Sequence, residues 1–270
     1  MTFDFNNIPK FCISLQRSKI RRLDVALEMQ SKNINFWFWN AVDKNSLVLP
    51  ELSVKLASAD TNIKKSNALG ALACMKSHTN LLESFCSINT RDAFCFIFED
   101  DIKLCDDFND RIRYIESLVK NDGLEFDILA LGGHFPCDIP GDIGDHASSA
   151  QWRRMYRINR LSGSYGYILN RSAAEFIVRN ATYNYGMDEF LSTFVYERFK
   201  SYALLPFPVG HKEGISEITE VHWHYDNADW FYEQGAVDLS KEYLNHIIGD
   251  KQMKKEQHDA QREAWLKANG

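Results

Sequence analysis

"FCFIFEDDIKL", residues 94–104, decides how this chain is read. Ala93 to Phe98 are apolar without a break, the mark of a strand buried on both faces of a sheet and so of a parallel arrangement. That strand runs straight into Glu99, Asp100 and Asp101, with no basic residue before Lys103. Carboxylates this close repel one another, and something must offset them. In an open α/β sheet, ligands gather beyond the carboxyl ends of the strands. A divalent cation with hard oxygen ligands, Mn²⁺ or Mg²⁺, answers the repulsion there and keeps positions open for phosphate oxygens. The competing reading is a solvated turn whose acids cap the next helix.

Outward from this stretch, strands and helices alternate. "FCISL" (11–15) reads as a strand, followed from about Lys19 by a helix with Ile20, Leu23 and Leu27 on one face and Ser18 as its cap. "INFWFW" (34–39) is the next strand. After Gly70 comes an amphipathic helix in which Leu72, Met75, Thr79, Leu82 and Cys86 recur at helical spacing. Beyond the acids, Phe108, Ile112, Ile115 and Val119 mark a further helix leading to the strand "FDILAL" (126–131). This β-α-β order predicts an α/β fold with a doubly wound, mostly parallel sheet flanked by helices. Residues 132–149, with four Gly, two Pro and three Asp, read as a loop over a site. "MYRI" and "SYGYIL" then read as strands, "SAAEFIVRN" as a helix, and a second helix starts near Asp188. A single main domain over 1–240 and a helical, charged extension over 241–270 complete the expectation.

Composition excludes several classes. A formal net charge of -6 argues against a chain whose main task is to coat nucleic acid. No run approaches the roughly 18 apolar residues of a membrane span, and "MTFDFNNIPK" lacks the basic start and apolar core of a signal peptide. The six cysteines form no C-x-x-C pair and lie mostly in apolar segments, which predicts reduced core thiols in a cytoplasmic protein, the host cytoplasm if the source is viral.

Several segments, in one order, resemble glycosyltransferase family 25, the lipooligosaccharide and collagen galactosyltransferases with a GT-A-type, Rossmann-like fold. They are "CISLQRSKIRR" with "FWNAVD", then "GALACMKSH", "FIFEDD", "GSYGYILNRSAAEFI" and "MDEFL". Ala73 and Met187 stand where the family has Gly and Val, and His211 stands in place of a Gln. The resemblance implies a transferase using a nucleotide sugar, UDP-linked, with Mn²⁺ or Mg²⁺. It assigns Glu99 and Asp101 to the metal, Asp101 foremost. Donor contacts fall on Leu15, Arg17, Arg21, Arg22, Ala41, Val42, Asp43, Ser77, His78, Asp100, Gly163 and Tyr165, with Asp43 toward the nucleoside. The arginines also suit an anion near a helix start; a solvated helix face is their alternative, as a packed interior is for His78. Inversion at the anomeric carbon needs a base for the acceptor hydroxyl. Asp188 is the candidate, with Glu189 beside it, and helix capping is the alternative for Asp188.

Two further stretches bear on the site. In "EVHWHYD" (220–226) strand spacing puts His222, His224 and Asp226 on one face, where the histidines complete the metal shell or form a polar exterior. Arg153, Arg154, Arg157 and Arg160, interleaved with Trp152 and Tyr156, suit a phosphorylated glycan or a nucleic acid, so Arg153 and Arg157 are the acceptor candidates. A solvated strand face is the alternative. The acceptor is then a glycan or a hydroxylated base in DNA. A metal-dependent phosphohydrolase, or a silent relative that only binds sugar or nucleotide, are the rival functions.

Overall fold

The computed structural model of this chain describes residues 3–47, 62–88, 93–133, 136–138, 141–142, 154–182, 185–205, 207–212, 214–215 and 222–223. The helical extension expected over 241–270 lies outside them, as do His224 and Arg153. The strand that opened the reading, β3 (Phe94–Glu99), is buried on both sides as its composition dictates. Phe94, Phe96 and Phe98 face one core, while Cys95 and Ile97 face the other.

Around β3 lies an eight-stranded sheet. Its left half is β1 (Lys10–Ser14) and β2 (Trp37–Asn40), both parallel to β3. Its right half is β5 (Ile128–Gly132), β10 (Gly166–Asn170) and β11 (Ser201–Leu205), then β8 (Arg154–Arg157) and the edge strand β7 (Gly141–Asp142). The order is β2-β1-β3-β10-β5-β11-β8-β7. Most strands run one way, as expected, but the sheet is mixed and not purely parallel. Strand β10 enters antiparallel between β3 and β5, and β8 is antiparallel to both its neighbours. Nothing in a run of apolar residues encodes direction, since a strand buried on both faces looks alike either way.

Helices cover both faces. On one side pack α2 (Asn62–Ser87), α4 (Arg171–Asn180) and α5 (Met187–Phe190), the last continuing into a π-helical turn, Leu191–Val195. On the other side pack α1 (Lys19–Ser31) and α3 (Phe108–Asn121). Leu72, Met75, Thr79 and Leu82 are buried along α2 as their spacing requires. Gly70 does not precede that helix but lies within it. The stretch 132–149 is not wholly loop either. It includes β6 (Pro136–Asp138), paired with β9 (Arg160–Leu161), and β7, paired with β8.

Helix α1 corrects the sequence reading most sharply. Val25 and Met29 are fully buried, whereas Ile20, Leu23 and Leu27 are exposed. Ser18 occupies the N-cap position but makes no side-chain capping bond.

The chain leaves β1 through α1 to β2, then returns through α2 to β3 on the opposite side of β1. That reversal of strand order opens a crevice at the carboxyl ends of β1 and β3. Besides the β6–β9 pair, two further small ribbons occur among the described residues. Strand β4 (Ile102–Leu104) pairs with β12 (Val209–His211), and β13 (Gly214–Ile215) pairs with β14 (His222–Trp223).

The packing of α1 sets a direct test. Met29→Ala should lower the free energy of urea unfolding by about 2–5 kcal/mol, the range for emptying a core site. Leu23→Gln should change it by less than about 0.5 kcal/mol. The reverse ranking would mean that α1 packs through its other face.

Candidate functional site

Three acids at one strand end divide into three environments. Asp100 turns inward: Ser14 Oγ donates to its Oδ2 at 2.6 Å and Arg21 donates to its Oδ1 at 2.9 Å. Burial, then the charge of Asp101, push its carboxyl up to about 6, although the bonds from Ser14 and Arg21 work the other way. Asp101 keeps its Oδ2 within 3.4 Å of Arg21 and 3.0 Å of His211 Nε2. Burial works to raise Asp101, but the hydrogen bond and charge of His211, with Arg21, outweigh it and hold that carboxyl below its ordinary value. His211 is in turn held above the ordinary imidazole value: burial opposes the charge, and the bond to Asp101 prevails. The second oxygen of Asp101, Oδ1, is buried without a hydrogen-bond partner.

Glu99 faces the other way, toward α2. Its Oε1 lies 3.5 Å from His78 Nε2 and accepts from Ser164 Oγ at 3.4 Å. His78 is fully buried, with Nδ1 2.8 Å from the Tyr167 hydroxyl and its ring stacked on that of Tyr167. Cys74, one turn earlier on α2, brings its sulfur into the same cluster.

The rest of the crevice is braced by the residues near β1. Arg22 donates to the Ser14 carbonyl at 2.8 Å and to Asn40 Oδ1 at 2.6 Å, and lies over the Phe38 ring, so it ties β1 to β2. Ala41 donates its N–H to the Ser14 carbonyl, and Val42 donates its own to Ser77 Oγ at 2.8 Å. Ser77 also donates to the Ala73 carbonyl, and so fastens the 41–43 turn to α2. Leu15 accepts from the Ser18 N–H as the chain turns into α1. At the rim, Arg17 donates to Asp43 at 2.8 Å while nearly half its side chain is exposed. The bonds from Arg17 and then Asn45 hold the Asp43 carboxyl below its usual range.

Across the crevice stands the turn before β10. Gly163 has φ 87°, a left-handed conformation suited to glycine, and its N–H donates to Asp188 Oδ2 at 3.3 Å. Asp188 is therefore not the N-cap of α5; Gly186 is. Glu189 reaches back to the Gly186 N–H, which gives it a capping task. Tyr165 donates to the Gly133 carbonyl and sets its ring edge-on to His211.

The expected site thus gathers around the ends of β1, β3 and β10 for most of its residues, and not for others. Arg157 pairs with Tyr202, near the start of β11, and its guanidinium donates to the Phe199 carbonyl and lies over the Tyr202 ring. Through the ladder that position is level with Phe96 in the middle of β3, with three strands between them, and not at the strand end that carries Glu99. His222 pairs with Ile215 in the backbone of β14. Sequence reasoning passed over Cys74, Ser14, Ser164 and His211 as site residues. Cys74 carried a signal, four residues before His78 on one helix face. His211 showed only as a departure from the family's Gln, and its meeting with Asp101 was hidden, because only the β4–β12 pairing, His211 opposite Ile102, brings it there.

With this geometry in place, comparison with known proteins is informative. The model of "Glycosyltransferase family 25 (LPS biosynthesis protein)" matches residues 7–135, the part holding β1 through β5. No curated protein matches the chain in sequence. Among solved structures, a glycosyltransferase involved in the glycosylation of the major capsid of PBCV-1 is similar, at 9% identity over 79% of this chain and 96% of that one, with a TM-score of 0.39.

Asp100 makes the stability of the site depend on pH. Its ordinary value is 3.8 and its folded value is about 6, so between them the folded chain holds the extra proton. The resulting stabilisation is complete below the lower value and is lost as pH rises through the upper one, a loss on the order of 3 kcal/mol. Denaturant unfolding in chelator from about pH 4 to about pH 7 should therefore decline more steeply for the native chain than for Asp100→Asn. Parallel profiles would show that Asp100 ionises normally.

Proposed function

We propose that this chain, which matches the family 25 glycosyltransferase model over residues 7–135, moves a sugar from a nucleotide diphosphate, UDP foremost, to a hydroxyl of an acceptor glycan with inversion. The observation that carries this reading is the buried, partnerless Oδ1 of Asp101 at the end of β3. A buried carboxylate oxygen without a donor is costly, and a hard cation relieves that cost. Asp101 offers a hard oxygen that fits Mn²⁺ or Mg²⁺, and Glu99 of the same strand end, whose carboxylate faces α2, would join it by turning toward the crevice. Bound there, the ion would supply Lewis-acid stabilisation of the negative charge that develops on the departing diphosphate.

The chain's own residues do the rest. Arg21 and His211 fix the orientation of Asp101 from one side, which leaves Oδ1 as its ligand atom. Arg17, at the exposed rim, offers a guanidinium for diphosphate oxygens, which suit its planar fork. The Ala41–Val42–Asp43 turn, fastened by Ser77, presents Asp43 to the nucleoside. Asp188, held by the Gly163 N–H, receives the proton of the acceptor hydroxyl as the glycosyl bond forms. The glycan acceptor accords with the lipopolysaccharide biosynthesis named in the family's description.

Transfer from a panel of nucleotide sugars tests the reading. Asp101→Asn should lower kcat on the order of 100-fold or more, and chelator should do the same to the native chain. Asp188→Asn should lower it by roughly 10²–10⁴-fold while donor binding persists. Full turnover of Asp101→Asn in excess chelator, or release of inorganic phosphate without transfer, would overturn the proposal.

A further inference from the structure

A second donor set lies on the buried flank of Glu99, and it is not made of oxygen alone. Cys74 and His78, four residues apart, share one face of α2. One ligand atom each from Cys74, His78 and Glu99 lies within 4.8 Å of the others. Tetrahedral coordination at ordinary zinc distances separates ligand atoms by about 3.5 Å, so modest rotation of these side chains closes the cluster on an ion. His78 supplies an independent sign. It is fully buried, and its Nε2 has no hydrogen-bond partner although it points to within 3.5 Å of Glu99 Oε1.

We propose that Cys74, His78 and Glu99 form a binding site for a borderline divalent cation, Zn²⁺, with the fourth position open to water. A thiolate and an imidazole select Zn²⁺ over Mn²⁺ and Mg²⁺, which favour oxygen. With its proton on Nδ1 and donated to the Tyr167 oxygen, His78 presents the Nε2 lone pair to the ion, an outer partner of the kind that orients ligating histidines. Burial, then the charge of Glu99, hold the Cys74 thiol protonated in the free chain. Binding replaces S–H by S–Zn and releases that proton to solvent. The site shares Glu99 with the proposed oxygen set, but Cys74 and His78 lie outside that set and the readout below is the metal, so its test can fail or succeed apart from glycosyl transfer.

The full chain, stripped with chelator, is titrated with Co²⁺ as a spectroscopic substitute and then with Zn²⁺. Co²⁺ should produce thiolate-to-metal charge-transfer absorption in the near ultraviolet, and Zn²⁺ should abolish it. Cys74→Ser should lose the band, and Cys86→Ser, a thiol elsewhere on the same helix, should keep it. Tyr167→Phe should keep the band while weakening Zn²⁺ binding by roughly 10- to 100-fold. X-ray absorption at the zinc edge of the native chain, which needs no variant to fold, should show one sulfur among nitrogen and oxygen ligands. Absence of the band in the native chain, an undiminished band in Cys74→Ser, or a sulfur-free zinc shell would overturn the proposal.

Discussion

The guanidinium of Arg21, shared between Asp100 and Asp101, is the interaction on which the crevice depends. Moving carboxylates out of water costs several kcal/mol each, and breaking a buried pair by removing one partner costs about 3–5 kcal/mol. Three such groups end a strand that is itself buried. Arg21 and Ser14 compensate Asp100, His211 and Arg21 compensate one oxygen of Asp101, and Ser164 reaches Glu99. The protein thus neutralises most of the repulsion by itself. Among the described residues of this strand end, the buried oxygen left without a partner is Oδ1 of Asp101.

The same clamp explains why α1 turns its apolar stripe to solvent. At 100° per residue, Arg21, Arg22, Val25 and Met29 fall on one side of the helix, and Ile20, Leu23 and Leu27 on nearly the opposite one. Both sides cannot face the sheet. Burying either apolar set gains a comparable few kcal/mol, since each large side chain contributes about 1.5–3 kcal/mol. Only the first orientation also brings Arg21 to the acids and Arg22 to Ser14 and Asn40. Electrostatics at the site chose between two hydrophobic solutions of similar worth. Apolar periodicity, read alone, selected the wrong one.

That case shows what the residues made legible and what they left hidden. The apolar run of β3, the stripe of α2 and that of α3 answered to local burial, and each was visible in the spacing of its own residues. Strand direction was hidden, because β10 reaches its antiparallel place between β3 and β5 through pairings that no short window contains. The site divides in the same way. Glu99, Asp101, Asp188 and the 41–43 turn sit within motifs that announce themselves. His211 reaches Asp101 only through the ribbon of β4 and β12, and Gly163 meets Asp188 across a separation of 25 residues.

The three carboxylates do not share one task, and their environments separate the tasks by chemistry. Asp100, buried and raised to about 6, cannot carry charge into the crevice at low cost, so it serves as the acceptor that seats Arg21 and Ser14. Asp101, held below the ordinary carboxylate value by His211 and Arg21, keeps one buried oxygen unpaired, the oxygen proposed above for the cation. Glu99 stands between that oxygen-lined crevice and the thiol and imidazole of α2. Were both proposed metals to bind, this single carboxylate would couple them, because each would compete for the same oxygens. The charge that ends β3 is therefore graded from a structural acid, through an acid with one unpaired oxygen, to a carboxylate that faces the thiol and imidazole of α2.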